Sequence, residues 1–141
     1  MSKEVFRGLV IVNLIFSLSL FFMMMSADMR VEYMAPEARR YMEWWYAQER
    51  GDIALLVTIM GLLAWVASLV SSIGLLFFYD WARFVFLIAV IVGVVLNLVE
   101  PYALLFQPFE YITDTSLSLI DGAIIALIFY SPVEGYFKKE I

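Results

Sequence analysis

Four long apolar segments constrain the fold of this chain more than any other feature. They cover about residues 8–27, 53–78, 82–99 and 112–131. At a rise of about 1.5 Å per residue, a helix of such a length comes close to the ~30 Å hydrocarbon core of a bilayer or exceeds it. The pattern therefore predicts an all-α fold, an integral membrane four-helix bundle.

The composition agrees with this prediction. Hydrophobic residues make up 64% of the chain and charged residues 16%, whereas about a quarter of a soluble domain is charged. The few polar residues cannot coat a water-soluble core, so membrane lipid is the expected partner. The net charge of −5 is opposite in sign to the basic surface of a nucleic-acid-binding protein. No nucleic acid is therefore expected to bind.

The connections between the apolar segments indicate how they are organised. Pro101 and Pro132 follow the third and fourth segments, and proline removes a backbone donor and ends a helix. The turn between the second and third segments is so short that the two must form an antiparallel hairpin. Residues 1–141 are accordingly expected to form a single membrane domain.

The first segment follows Lys3 and Arg7, as the apolar core of a secretory signal peptide would. Its apolar run is longer than such a core, and Met25 stands where a cleavage site needs a small residue. We therefore expect this segment to be retained as a membrane anchor.

Basic residues indicate the orientation. The segment 101–111 contains no Lys or Arg, and the four arginines between the first two segments are dispersed among acids. Cytoplasmic loops are enriched in bases. On this basis the N- and C-termini are predicted to be cytoplasmic. The bases on that side would be Lys3, Arg7, Arg83, Lys138 and Lys139.

Residues 36–50, between the first two segments, have apolar side chains at helical spacing and charged side chains on the rest of the wheel. This pattern predicts a short amphipathic helix lying in the membrane interface. It would either connect and shield the bundle or provide a docking surface or lid. The aromatic anchors expected at headgroup depth are Trp44, Trp45, Tyr46 and Trp81.

One acid, Asp121, lies deep inside an apolar segment. If the fourth segment enters the bilayer near Ile112, Asp121 is about 13 Å deep, and a charge at that depth is costly and usually functional. Asp114 and Ser118 project from the same helix face because they are spaced by four and three residues. Other polar candidates within or near the segments are Ser17, Thr58 and Asn97.

Two interpretations of Asp121 stay open. In the first, a neutral Asp121 hydrogen-bonds to a neighbouring helix and contributes to assembly. In the second, it alternates between protonated and ionised forms and carries protons or a cation. Arg83, at the start of the third segment, lies at the opposite surface in the proposed topology, and the segments contain no other Lys or Arg that could neutralise this acid.

Several chemical functions find no support in the sequence. The chain has no Cys and no His, so it lacks a thiolate nucleophile, an imidazole base that could activate a serine, and the usual zinc ligands. Glu100, Glu110 and Asp114 match the spacing of no metal-binding loop. No catalytic residue, metal or cofactor is therefore predicted.

The last half of the chain carries weak motifs. They are Trp81-Ala82-Arg83, the segment from Asp121 to Pro132 with its Ser-Pro ending, and Tyr136-Phe137. These resemble a loose group of small uncharacterised bacterial four-span membrane proteins. The resemblance implies four spans and residence in a bacterial membrane, and it implies no activity. We expect this membrane to be the cytoplasmic (inner) membrane.

Together these observations predict a small multipass membrane protein without enzymatic activity. It would be an accessory or self-associating membrane component, with a second copy or another membrane protein as its partner. The competing prediction is a small proton- or cation-coupled transporter that uses Asp121.

Overall fold

The computed structural model of the chain describes residues 2–27, 36–47, 51–97 and 108–137. All regular elements in these ranges are helical, which confirms the all-α prediction. They are α1 (Lys3–Ala27), α2 (Pro36–Ala47), α3 (Gly51–Leu76), α4 (Asp80–Asn97), α5 (Pro108–Tyr130) and a 3₁₀ helix (Pro132–Tyr136).

Local capping explains where two of the helices begin. The Ser2 hydroxyl accepts a hydrogen bond from the backbone N–H of Val5 at 3.3 Å, so α1 begins ahead of its apolar run. The Ser131 hydroxyl accepts from the backbone N–H of Val133 at 3.1 Å and caps the 3₁₀ helix in the same way.

Three of the helices are long and apolar enough to cross a membrane: Lys3–Met23 of α1, Leu55–Leu76 of α3 and Ile112–Tyr130 of α5. Helix α4 does not qualify within the described residues. It has only 18 residues there, about 27 Å of rise, and its first turn contains Asp80 and Arg83.

The four long helices form a ring in which α1 contacts α3 and α5, and α4 contacts the same two helices. Side-chain contacts show that neighbours run antiparallel. Arg7, near the start of α1, reaches Leu76 at the end of α3, and Arg83, near the start of α4, reaches Ile128 near the end of α5. We call the end where these four termini and the 3₁₀ helix meet the hairpin end.

The apolar core lies toward this hairpin end. Phe6 and Val10 of α1 are fully buried there against residues of α3, α4, α5 and the segment after α5. The other members of the core are Leu75, Ala82, Phe86, Ile124, Ile128, Val133 and Phe137. Farther along α1 the core gives way to polar contacts between helices.

Candidate functional site

Asp121 accepts a hydrogen bond from the first helix. The side-chain amide nitrogen of Asn13 donates to Asp121 Oδ1 at 2.6 Å. Asn13 is 1% exposed, whereas Asp121 is partly buried. The bond joins α1 to α5. It also satisfies one donor of the Asn13 side-chain amide, which is buried inside the bundle.

The position of Asn13 follows from the periodicity of α1. The buried residues Phe6, Val10, Asn13, Ser17 and Leu20 are spaced alternately by four and three, so they line one face of the helix. The apolar members of this face fill the core. The two polar members, Asn13 and Ser17, must therefore find partners on neighbouring helices.

Ser17 finds its partner on α3. The indole N–H of Trp65 donates to the Ser17 hydroxyl at 3.1 Å, and the ring of Phe21 stacks on Trp65 with centroids 4.1 Å apart. The two polar residues of this face thus form one hydrogen bond with α5, through Asn13, and one with α3, through Ser17. Such bonds between membrane helices are worth roughly 0.6 to 2 kcal/mol each.

Sequence reasoning missed Asn13 while singling out Ser17 on the same face. The signal was present, since Asn13 and Ser17 are four residues apart within an apolar run. What the sequence did not contain was the register of α1 against α5, which places the amide beside the carboxyl.

The other predicted intramembrane residues are not all gathered at this site. Asp114 is partly buried on α5, whereas Ser118 is exposed although it shares a helix face with both acids. Thr58 on α3 is also exposed. The side chain of Asn97 lies outside the described residues.

Two of the four predicted interfacial anchors can be placed. Trp44 on α2 is 52% exposed and Trp81 at the start of α4 is 48% exposed. The side chains of Trp45 and Tyr46, like residues 48–50 of the predicted amphipathic segment, are outside the described part. Helix α2 contacts α3, so the observed helix lies beside a candidate span.

A buried cation holds the hairpin end together. Arg83 forms an ion pair with Asp80 at 2.9 Å and donates from Nη1 to the carbonyl oxygen of Ile128 at 3.3 Å. Its guanidinium also lies 5.4 Å from the ring centroids of Phe129 and Phe137. These contacts join the start of α4 to the end of α5.

Arg7 acts on α3 in a similar way, because its Nε donates to the carbonyl oxygen of Leu76 at 3.0 Å. The last carbonyls of a helix lack partners within the helix and carry partial negative charge. Neither α3 nor α5 has a basic residue in its last turn. Arginines of neighbouring helices supply the missing donors and positive charge.

The chemistry available at Asp121 is limited by its surroundings. Its described partner is an amide, which donates a hydrogen bond without accepting or releasing a proton. Among the described residues, no three acidic side chains come close enough together to hold a metal ion. The arrangement is suited to joining helices, and Asp121 is its one titratable member.

Comparison of the chain with protein families, with curated proteins and with solved structures finds no match.

Proposed function

We propose that this chain is a non-enzymatic integral membrane protein, an accessory or self-associating component of a bacterial cytoplasmic membrane. One observation supports this role above the others: Asp121 is engaged by Asn13 in a bond between helices. The polar groups on the inner face of α1 thereby stabilise the assembly of the bundle, which leaves its outer faces for lipid and for a membrane-protein partner or a second copy.

We also propose that α4 spans the membrane with α1, α3 and α5. Helix α4 packs against both α3 and α5, so it cannot leave the bilayer without breaking the ring. The sequence continues after Asn97 with the apolar residues Leu98 and Val99, which extends the available length. Four crossings put both ends of the chain on one side, and the distribution of bases favours the cytoplasm.

Single cysteines test this topology, because the chain has no Cys of its own. We expect Gln107→Cys, outside the described residues, to react with an impermeant maleimide added outside intact cells. Gly135→Cys, an exposed site with no atom near the added Cβ, should react only after permeabilisation. The two positions exchange their behaviour if α4 fails to cross or if the orientation of the chain is reversed.

Transport is the second candidate function. The observations that favour it are the partial burial of both Asp121 and Asp114 on α5 and their common helix face. A proton or cation pathway would need Asp121 to exchange its bond with Asn13 for water or a solute. The short Asn13 contact and the buried amide favour the assembly role over this alternative.

A flux assay separates the two functions. In vesicles containing a pH-sensitive dye, we expect the reconstituted protein to carry no proton flux above that of protein-free vesicles after a pH step. Asp121→Asn is the test variant. Its matched control is Ser118→Ala, at an exposed position on the same helix. A flux that only Asp121→Asn abolishes would replace the assembly role with transport.

A further inference from the structure

The turn between α3 and α4 contains an unusual backbone conformation. Phe78 has a φ of 58°, in the left-handed region that bulky residues rarely adopt. Two hydrogen bonds close the end of α3 around it, from Tyr79 N–H to the Gly74 carbonyl at 3.0 Å and from Phe78 N–H to the Leu75 carbonyl at 3.1 Å. Glycine is the usual residue at this position of such a helix ending.

The Phe78 side chain explains why an aromatic residue occupies the strained position. Its ring packs at the centre of an aromatic cluster, with centroids 5.7 Å from Phe6, 5.5 Å from Tyr136 and 5.3 Å from Phe137. Glycine would relieve the backbone and remove these contacts. The strain is therefore offset by packing that joins α1, the turn and the 3₁₀ helix.

Two cations lie over the same ring. The Lys3 ammonium is 5.7 Å and the Arg7 guanidinium 5.2 Å from the Phe78 centroid, and Lys3 is also 4.9 Å from the Tyr136 centroid. Attraction to the ring faces holds both cations at one place. We call the group of Lys3, Arg7, Phe78 and Tyr136 the Phe78 site.

Both cations can be reached from the surface of the described structure. Lys3 and Arg7 are exposed, and neither forms an ion pair with another described residue. The Nε of Arg7 donates to the carbonyl oxygen of Leu76. This bond orients the guanidinium and leaves its two terminal nitrogens to donate to a ligand. The third cation at this end, Arg83, is buried and paired with Asp80, so it is not part of the site.

We propose that the Phe78 site binds the phosphate of an anionic phospholipid headgroup. A guanidinium donates two parallel hydrogen bonds to phosphate oxygens, and a nearby ammonium adds charge. The site lies at the end of the candidate span that begins at Lys3, which is headgroup depth for a spanning α1. This inference rests on the proposed membrane embedding.

Asp80 and Glu4 are two of the acids at this end of the bundle. Asp80 is engaged by Arg83, and exposed Glu4 in the first turn of α1 is close enough to Lys3 and Arg7 to interact with them electrostatically. Glu4 repels an anion that the two cations attract. Removing the Glu4 charge should therefore strengthen binding, whereas removing either cation should weaken it.

Binding of spin-labelled phosphatidylglycerol in mixed detergent micelles, compared with labelled phosphatidylcholine, tests the proposal. We expect Lys3→Gln and Arg7→Gln each to weaken phosphatidylglycerol binding by about fivefold, the effect of one basic residue at a membrane surface. Glu4→Gln should strengthen it. The matched control is Arg40→Gln, an exposed arginine on α2 that should leave binding unchanged.

Three results would overturn the proposal: equal affinity for the two lipids, Lys3→Gln binding like the parent protein, or equally effective competition by inorganic phosphate, which would indicate a site for free anions. Lys3→Gln is informative even if Arg7→Gln loosens the end of α3, because Lys3 contributes no hydrogen bond there. Alkaline extraction of cell membranes measures integration separately, so failure of the membrane assignment can be distinguished from failure of the lipid site.

Discussion

Asp121→Leu is expected to lower the free energy of unfolding by about 1 to 3 kcal/mol, because it leaves the buried amide of Asn13 without its acceptor. Asp121→Asn keeps an oxygen at the position that Asn13 reaches, so it should lose less than about 1 kcal/mol. Thermal or denaturant-induced unfolding in mild detergent measures both variants against the parent protein.

A double-mutant cycle strengthens this test. Asn13→Leu alone leaves Asp121 without its described partner, whereas Asn13→Leu combined with Asp121→Leu removes both polar groups. The double variant should be less destabilised than the sum of the two single variants. Ser118→Leu, at an exposed position on α5, is the matched control and should have little effect.

Additive losses in the cycle would show that the Asn13 contact does not stabilise the bundle. A large loss for Asp121→Asn would indicate that the bond requires the carboxyl itself. Additive losses would remove the main support for the assembly role proposed for Asp121, and the flux assay would then decide whether the acid serves transport.

Gly74→Ala is the second change expected to have a large effect. A Cβ atom at Gly74 would lie 2.7 Å from the Cβ of Ala82, and 3.1 and 3.2 Å from two ring carbons of Trp81. The Ala82 Cβ is attached directly to the backbone and cannot move aside, so α3 and α4 must separate. We expect a loss of about 1 to 3 kcal/mol, the usual cost of overpacking.

The same hairpin provides a control and a rescue for Gly74→Ala. Gly93→Ala on α4, where no heavy atom lies within 4 Å of the added Cβ, should be neutral or stabilising by up to about 1 kcal/mol through helix propensity. Ala82→Gly removes the clashing atom, so it should recover part of the loss when combined with Gly74→Ala. Equal effects at Gly74 and Gly93 would contradict the close approach of the two helices.

Much of the local structure could be predicted because it depends on short stretches of sequence. Pro132 follows the end of α5, and the apolar lengths identified the long helices, because proline chemistry and the 1.5 Å rise act within one segment. The amphipathic pattern after Pro36 likewise corresponds to α2 (Pro36–Ala47). These features need no knowledge of which helices touch.

The burial and the partners of the predicted polar residues could not be predicted from local sequence. Ser118 shares a helix face with Asp121 by its spacing, yet Ser118 is exposed and the described partner of Asp121 is Asn13. The burial of Arg83 beneath aromatic rings was also not predicted, since an arginine next to a helix start is normally a surface residue. Both outcomes depend on contacts between residues far apart in the chain.

By itself the sequence determined the helical class, the apolar segments and the presence of an acid inside the last of them, since these follow from composition, periodicity and proline positions. Only the tertiary structure decided that Asn13 donates to Asp121 and that Arg7 and Arg83 reach the ends of α3 and α5. It also decided that two cations lie over the Phe78 ring. The physical reason is that the register and facing of neighbouring helices are set by packing across the whole bundle. A shift of a single turn would leave every local signal unchanged and would pair each of these side chains with a different partner.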